Sequence, residues 1–579
     1  MNEEDLESLK LGKNKRNTIS PNQKGISNLV QLITDDIALF IIQPNMDTFT
    51  HVIESYYLFS SLNRGNKTIA IFIPGESYDI IEYMTANELA GKIEIYSFNI
   101  DLIPIDNDLL SLEIDSNFRD IYINKDLSCI STLANAFVKL EACFGKVKYK
   151  YLKGDYAEIF DNLLCEKEKE NDLKNNDEIL GMIVFDRSVD FLTPLISNFT
   201  YEGLIDDFFG IDCGKIKIKE KLLKQGVKSI ETETEDDKII SYGLTSSVND
   251  FYCILRCMLA RDVYRFIIKT DTYFQNIAMK CEAKKKESLN EDSQISDLGF
   301  YVTNIKKPLA SNENIMDYIR QFIIKPEYKK FTQYEQLLIT AQLPVHLHDY
   351  YDEYLCDKKD LSKILRLMVI ENLTQGNIQD YQNMKRDILN MYGYDKIFIF
   401  KDLEQLGWLP EKGSKNPFGL SYRDIYDKLG LFKLEYNDLK IDDCSYICDQ
   451  YCPLSLKLIE KAIYGKWGKI QEILKKMNGY LKFPIDEKEI AKPTEQVNTI
   501  FLVFIGGVSY AEIEGVRFLN RKFMENFKKS KDKTPTRTQL IIVTTGILSH
   551  KKIFDNLGKK IQSNYSMKQF FEQSQNKIN

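Results

Sequence analysis

The sequence predicts an α/β protein of two doubly wound parallel-sheet domains that carry a large, mainly helical insert. Three observations lead there. Near the N-terminus, apolar runs without alternation recur between helix-length segments, as strands buried on both faces read. A second set of such runs begins near Ile179, stops, and resumes only near Ile500. In the interval, from residue 298 to Tyr480, strand signals thin and helical periodicity dominates.

Length and composition fit that plan. At 579 residues the chain exceeds what one hydrophobic core organises, and about 150 residues per domain gives roughly four domain-sized units. With 44% hydrophobic and 28% charged residues, 33 Tyr and 33 Phe, a substantial packed core is available. The opening residues MNEEDLESLKLGKNKRNTIS are charged and no stretch of about 18 apolar residues occurs, so neither a signal peptide nor a spanning helix is expected and the chain should stay in the cytosol. Eleven cysteines without framework spacing read as reduced, small apolar side chains. A net charge of −8 gives no basis for nucleic-acid binding by bulk attraction, and any membrane contact is expected through partners.

The first strand is IALFIIQP (Ile37 to Pro44), and a helix-length segment follows to Leu62. The turn Asn63-Arg64-Gly65-Asn66 leads to TIAIFIP (Thr68 to Pro74), a helical stretch around Asp79 to Leu89, and IEIYSF (Ile93 to Phe98). Leu133, Phe137, Leu140 and Phe144 recur at helical spacing and are expected to cover this first sheet, with Gly145 as the stop. The charged stretch Cys165 to Glu178 reads as an exposed connection between units. ILGMIVFD (Ile179 to Asp186) then opens the second sheet. After the acidic stretch Glu231 to Asp237, a long helix is expected from near Val248, with Phe251, Ile254, Leu255 and Met258 on one face. Lys284 to Asp297 is polar and loop-like. IFLVFIGGVSY (Ile500 to Tyr510) and QLIIVTTGIL (Gln539 to Leu548) read as buried parallel strands that complete the sheet begun near Ile179. The expected domains are residues 28–150, residues 151–265 with 490–579, and residues 266–489, after a tail of residues 1–27.

Signs of catalysis are weak. Asp186-Arg187-Ser188-Val189-Asp190 after a strand invites comparison with phosphotransferases that bind Mg²⁺ through paired Asp residues, but Ser188 stands where their second Asp would be and Arg187 adds a positive charge. Asp186 and Ser188 match an adhesion-type metal motif only in part, because Asp190 replaces its second Ser. Arg187 is expected to pair with Asp186, Asp190 or Glu202 and fix the strand end. Gly506-Gly507 lacks a phosphate-loop pattern and reads as a tight strand-to-helix turn. Cys444, Cys448 and Cys452, like Cys253 and Cys257, lack nearby paired ligands and read as buried small side chains rather than a zinc site. His346 and His348 read as solvated or capping residues, and no nucleophile has an identifiable base. The clusters Lys284-Lys285-Lys286 and Lys528, Lys529, Lys531 and Lys533 read mainly as solvated loops. No catalytic residue, metal or cofactor is therefore expected.

One long motif is specific. DRSVDFLTPLISNFTYEGLIDDFFGI (Asp186 to Ile211) resembles the signature of the SM family, the Sec-one/Munc-eighteen proteins that bind SNAREs. FLVFIGGVSYAEIEGVRFL (Phe501 to Leu519) resembles that family's C-terminal strand-turn-helix. The matching positions are Asp186, Arg187, Asp190, Thr193, Pro194, Tyr201, Glu202, Gly506, Gly507, Tyr510, Glu512 and Arg517. LIPIDNDLLSLE (Leu102 to Glu113), FGKVKYKYLKGDYAEIF (Phe144 to Phe160) and LSKILRLMVIENLTQGNI (Leu361 to Ile378) resemble the vacuolar-sorting branch of the family. Residues 1 to 27 and Lys284 to Leu347 match poorly, and the second stretch is where the family's helical hairpin is expected.

The resemblance implies a three-domain, arch-shaped SM fold without catalytic activity. It also implies Qa-type and R-type SNARE helices as partners, together with a solenoid-type subunit of a class C tethering complex. On the hairpin segment, Ile315, Tyr318, Ile319 and Phe322 form an apolar stripe, and Lys306, Lys307 and Arg320 are placed to meet acidic residues of a SNARE. The same stripe suits packing within the hairpin. Two other readings stand beside this one: a metal-dependent phosphotransferase centred on Asp186, and a scaffold subunit that does not bind SNAREs.

Overall fold

The computed structural model describes residues 37–42, 46–61, 67–72, 78–98, 101–171, 178–225, 238–245, 250–285, 306–410, 419–433, 443–484, 497–529 and 537–558. The N-terminal tail, the acidic stretch Glu231 to Asp237 and most of the polar stretch Lys284 to Asp297 lie outside them, as do Lys286, Lys531 and Lys533. The chain divides into two compact units, Met1–Asp101 and Leu102–Asn579.

The first unit alternates strictly: β1 (Ile37–Ile42), α1 (Met46–Ser61), β2 (Lys67–Phe72), α2 (Tyr78–Ala86) and β3 (Ile93–Ser97). The strands pair in parallel in the order β1-β2-β3. A parallel pair needs a crossover between its strands, and the two helices supply it. Phe49, Val52 and Ile53 from α1 and Ile80 and Met84 from α2 pack on Ala70 and Ile93 to form the core of this unit.

The second unit opens with the hairpin β4 (Ile103–Asp106) and β5 (Leu109–Ser111), followed by a helical segment at residues 117–124 and α3 (Ser128–Phe144). Next come β6 (Lys146–Lys153), α4 (Asp155–Asn171), β7 (Glu178–Asp186), α5 (Tyr201–Phe209), β8 (Lys215–Lys219), α6 (Glu220–Gln225), β9 (Ile239–Gly243) and α7 (Asp250–Leu255). The helical insert contains α8 (Ala260–Lys285), α9 (Lys307–Ile323), α10 (Pro326–Ile339), α11 (Leu347–Cys356), α12 (Leu361–Gln375), α13 (Tyr381–Tyr392), α14 (Ile397–Gln405), α15 (Tyr422–Leu429), α16 (Leu454–Ile463) and α17 (Gln471–Lys476). The chain then returns through β10 (Leu481–Lys482), β11 (Val497–Ile505), β12 (Val508–Ser509), α18 (Tyr510–Lys529), β13 (Arg537–Thr544), β14 (Ile547–Leu548) and α19 (His550–Asn556).

Seven of these strands form one sheet in the order β10-β6-β7-β11-β13-β5-β4, parallel except at its two edges. β11 lies between β7 and β13, with Ile500 opposite Gly181 and Ile505 opposite Asp186. Every side chain from Ile500 to Ile505 is buried, which explains why the sequence there shows no alternation. The C-terminal strands do complete the sheet begun near Ile179.

Several expectations change. Residues 28–150 are not one unit, because β5 pairs with β13 and β6 pairs with β7 in the large sheet. α3, expected on the first sheet, packs on this large one: its Phe137 stacks edge-on against Phe160 of α4 and Phe501 of β11. The charged stretch from Cys165 continues α4 as far as Asn171, so it belongs to the β6-to-β7 crossover rather than to a boundary. The helix expected near Val248 is broken in two, α7 and α8, with an isolated bridge between Leu259 and Thr200 at the break. Ile254, placed on the buried face by periodicity, is 50% exposed.

Candidate functional site

The long motif folds at the carboxyl ends of β7 and β11, the part of an open α/β sheet where ligands ordinarily bind. Asp186 ends β7 and turns the chain. Its Oδ1 accepts from the Ser188 amide at 2.8 Å and from the Ser188 hydroxyl, while Oδ2 accepts from the Tyr156 amide at 2.9 Å. Burial pushes this carboxyl up, and those donors oppose the shift. Gly154, with φ of 111°, lies so close that a Cβ there would overlap the Asp186 carboxylate.

Arg187 finds a partner that none of the sequence expectations named. Its guanidinium makes a buried two-point contact with Glu512 of α18, at 2.7 and 2.8 Å, and lies 4.0 Å from Asp190. Glu512 also accepts from the Ser509 amide at 2.9 Å and the Ser455 hydroxyl at 2.6 Å. Burial pushes the Glu512 carboxyl up, yet Arg187 together with the Ser455 and Ser509 donors holds it below the ordinary range. Asp190 accepts from the Thr193 amide at 3.0 Å and the Thr193 hydroxyl at 2.6 Å, and Pro194 sits within the turn Thr193–Leu195. Gly506 (φ 84°) and Gly507 (φ 101°) carry the chain from β11 towards α18, and a Cβ on Gly506 would lie 2.6 Å from the Tyr122 ring.

A second buried network ties α5 to α18 and β4. Glu202 accepts from Arg517 at 2.6 Å and from the Tyr252 hydroxyl at 2.7 Å. Arg517 also donates to Glu514 at 2.9 Å and Asp108 at 3.3 Å, and Arg256 pairs with Asp106. Burial pushes Glu202 up to about 8 despite Arg517. Tyr510, at the start of α18, is buried nearby. The Tyr201 hydroxyl reaches Asn312 of α9, at 3.1 Å from Oδ1.

A third network escaped the sequence reading. Arg366 of α12 pairs with Glu335 of α10 at 2.8 Å, and Glu335 accepts from the Ser197 hydroxyl at 3.0 Å. The signal was a lone Arg within the apolar run Ile364 to Ile370, but its partner is 31 positions away on another helix.

The space outside the strand ends is filled with rings. Tyr122 packs on Phe118, Phe191 and Tyr156 at centroid distances of 5.1, 5.6 and 5.3 Å, and Trp408 of the insert closes over Phe118 and Phe191 at 5.4 Å each. Among the described residues no group of three or more His, Cys, Asp or Glu is placed to hold a metal ion. Cys444, Cys448 and Cys452 are buried, whereas Cys253 and Cys257 are half-buried. His346 lies 3.0 Å from Asp349 at the exposed start of α11, and His348 lies 3.9 Å from Glu371.

The stripe expected to meet a SNARE faces inward. α9 lies along α5, α6 and α8, leaving Ile315 and Ile319 without exposure. Tyr318 stacks on Phe209 at 5.2 Å and Phe322 on Phe208 at 5.5 Å, both rings belonging to α5. Burying one apolar stripe is what makes an amphipathic helix dock, and here this chain's own core takes it. Arg320 is exposed and stands 5.1 Å over the Tyr264 ring, Lys306 is exposed, and only the backbone of Lys307 is described. A different apolar cluster does face outward at the start of α14, where Tyr394, Ile397 and Phe398 are 69%, 44% and 42% exposed.

Comparison with known proteins agrees with this fold. Vacuolar protein-sorting-associated protein 33 homolog of Arabidopsis thaliana is 24% identical over 514 residues, covering 85% of this chain and 81% of its own. Vacuolar protein sorting-associated protein 33A of Rattus norvegicus is 26% identical over 507 residues, covering 83% and 82%. The crystal structure of the Unc18-syntaxin 1 complex from Monosiga brevicollis superposes with a TM-score of 0.55 at 14% identity, over 90% of this chain and 87% of that one. Sly1p in complex with an N-terminal peptide of Sed5p gives 0.52 at 15% identity, over 90% and 84%. These likenesses show a shared α/β fold. The Sec1 family model matches residues 14–556, spanning both the long motif and the strand-turn-helix of α18, and the chain belongs to the Sec1 family.

Proposed function

We propose that this chain is a SNARE-binding template for membrane fusion in traffic to late endosomes, vacuoles or lysosomes, acting without a covalent step as a subunit of a class C tethering complex. The observation that carries the reading is the family match over residues 14–556, together with relatives named for vacuolar protein sorting. Family structures solved with syntaxin 1 and with a Sed5p peptide support a SNARE as the partner class. A non-catalytic role is supported by the strand ends: the Asp186 oxygens are occupied by backbone and Ser188 donors, and aromatic rings fill the crevice. No helix among the described residues is long and apolar enough to cross a membrane, which supports peripheral attachment through partners.

Template action needs no reactive group. Ordering a disordered helix costs about 1–2 kcal/mol per residue in backbone entropy, and a preformed surface bears part of that before two helices meet. Once one helix is held, the second association becomes effectively intramolecular. The exposed cluster at Tyr394, Ile397 and Phe398 supports a docking face for the tether subunit. A scaffold that binds no SNARE is the second reading, favoured by the burial of Ile315 and Ile319.

Binding of purified Qa-type and R-type SNARE segments to the whole chain, measured by fluorescence anisotropy, tests the proposal. Saturable binding of at least one class, with no metal-dependent phosphate release, is expected. Absence of binding to every endolysosomal SNARE, with and without the tether subunit, would leave the scaffold reading in its place.

A further inference from the structure

A cleft of about 260 Å³ opens where α8 begins and α9 meets α10. Its walls include Phe199, Leu204, Leu259, Ala260, Ile323 and Tyr328, so its lining is mostly apolar. The volume falls just short of the roughly 300–1,000 Å³ of small-molecule sites, which suits one large side chain better than a cofactor.

The walls are held from behind. Phe199 donates its amide to the Ile447 carbonyl at 3.0 Å, Tyr201 to Met258 at 2.9 Å, and Ala260 to Phe199 at 3.3 Å. The cleft is therefore preformed, which lowers the ordering cost of filling it. Two charged residues also line it: Arg261 from the first turn of α8, its side chain 46% exposed, and Asp449 from the turn after Cys448. That turn is strained. Asp449 and Gln450 have φ of 44° and 78° in succession, although neither is glycine, and the Gln450 amide is tied to the Ser445 carbonyl at 2.9 Å. Such conformations persist where the surroundings enforce them, and they gather at binding sites. Ile324, the residue after the lining Ile323, is 56% exposed, and the Tyr328 hydroxyl is buried with no hydrogen-bond partner among the described residues.

We infer that this cleft is an anchor pocket for one large apolar side chain of an amphipathic partner helix, which sets an acidic residue against Arg261 and a basic residue against Asp449. Helix-in-groove recognition has this form: an apolar anchor in a pocket and charges on its rim. The inference deepens the proposed function by naming a contact for a partner helix, and it rests on that reading only for the class of partner.

The test uses the full chain and two probes. The first is an alanine-based helical peptide with a central Phe, Glu four residues before it and Lys four residues after it, alongside an isomer with the charges exchanged. The second is the set of SNARE segments. Ala260→Phe fills the cleft, and its thermal midpoint reports whether the variant folds. Both the designed helix and any SNARE that binds the wild type are expected to lose about tenfold or more in affinity on this substitution. Arg261→Glu leaves both rim charges negative, so each isomer gains one attraction and one repulsion and the preference between them is expected to disappear; this readout stands even if Ala260→Phe fails to fold. Equal binding of the designed helix to wild type and Ala260→Phe, or an undiminished preference between the isomers in Arg261→Glu, overturns the inference. So does self-association abolished by Ala260→Phe, which would make a second copy the occupant. If SNAREs bind wild type and the filled variant alike, the pocket falls and the proposed function stands. If no SNARE binds wild type while the designed helix behaves as expected, the proposed function falls and the pocket stands.

Discussion

Arg187 and Glu512 lie 325 positions apart and meet in a buried two-point contact. A buried ion pair adds little net stability against an apolar replacement, but removing one member leaves the other charge uncompensated. Arg187→Met is therefore expected to cost about 3–5 kcal/mol in urea unfolding, and the double variant Arg187→Met with Glu512→Met less than the sum of the singles. Glu371 makes a separate case. Burial pushes its carboxyl up to about 7, with a 3.0 Å hydrogen bond from Tyr351 opposing the shift. The folded chain thus holds this proton more tightly than the unfolded one. The resulting stability is present below the ordinary value of 4.5 and fades as pH rises towards 7. Urea midpoints measured from pH 5 to 8 should fall less steeply for Glu371→Gln than for wild type. At this scale the sequence announced that Arg187 needed a carboxylate and named Asp190, which does lie 4.0 Å away, but missed the closer partner Glu512, which is distant in sequence and near in space.

Helix α9 shows an element whose apolar face is legible while the surface that covers it is not. The stripe Ile315, Tyr318, Ile319 and Phe322 does lie on one face, and the periodicity was legible. What periodicity cannot say is whether a partner or the chain's own core covers that face. Since α5, α6 and α8 cover it, Ile319→Ala is expected to behave as a core deletion and lower stability by about 2–5 kcal/mol. Lys306→Glu, at the exposed residue that precedes the helix, should leave unfolding within about 0.5 kcal/mol of wild type. The reverse ranking in denaturation curves would mean that α9 is not docked as described. The strands were easier to read: β7, β11 and β13 are buried on both faces, so their composition alone marks them. The α7–α8 break went unseen because apolar spacing continues through it while Leu259 bridges to Thr200.

On the scale of the whole chain, the insert is tied back to the C-terminal end of the second unit. Asp402 of α14 accepts from Arg119 at 2.6 Å and from the Gly558 amide at 2.8 Å, and Arg119 also donates to the Asn556 carbonyl at 2.8 Å. Asp402→Ala removes the carboxylate paired with a buried guanidinium and should cost about 3–5 kcal/mol. Hydrogen exchange should then rise in α14 and α19 together, and a change confined to α14 would show that the tie does not couple them. The division into units was the least legible feature. Strand pairing depends on register between distant segments, so nothing local in β5 announced that it belongs beside β13.

That placement has a consequence for biogenesis. Leu110 of β5 leaves the ribosome 433 residues ahead of its neighbour Val543 (543 − 110). At about 5–20 residues per second the nascent chain carries an unmated apolar edge for on the order of tens of seconds. Chaperone dependence during translation, and aggregation of chains stopped before β13, follow from one strand order.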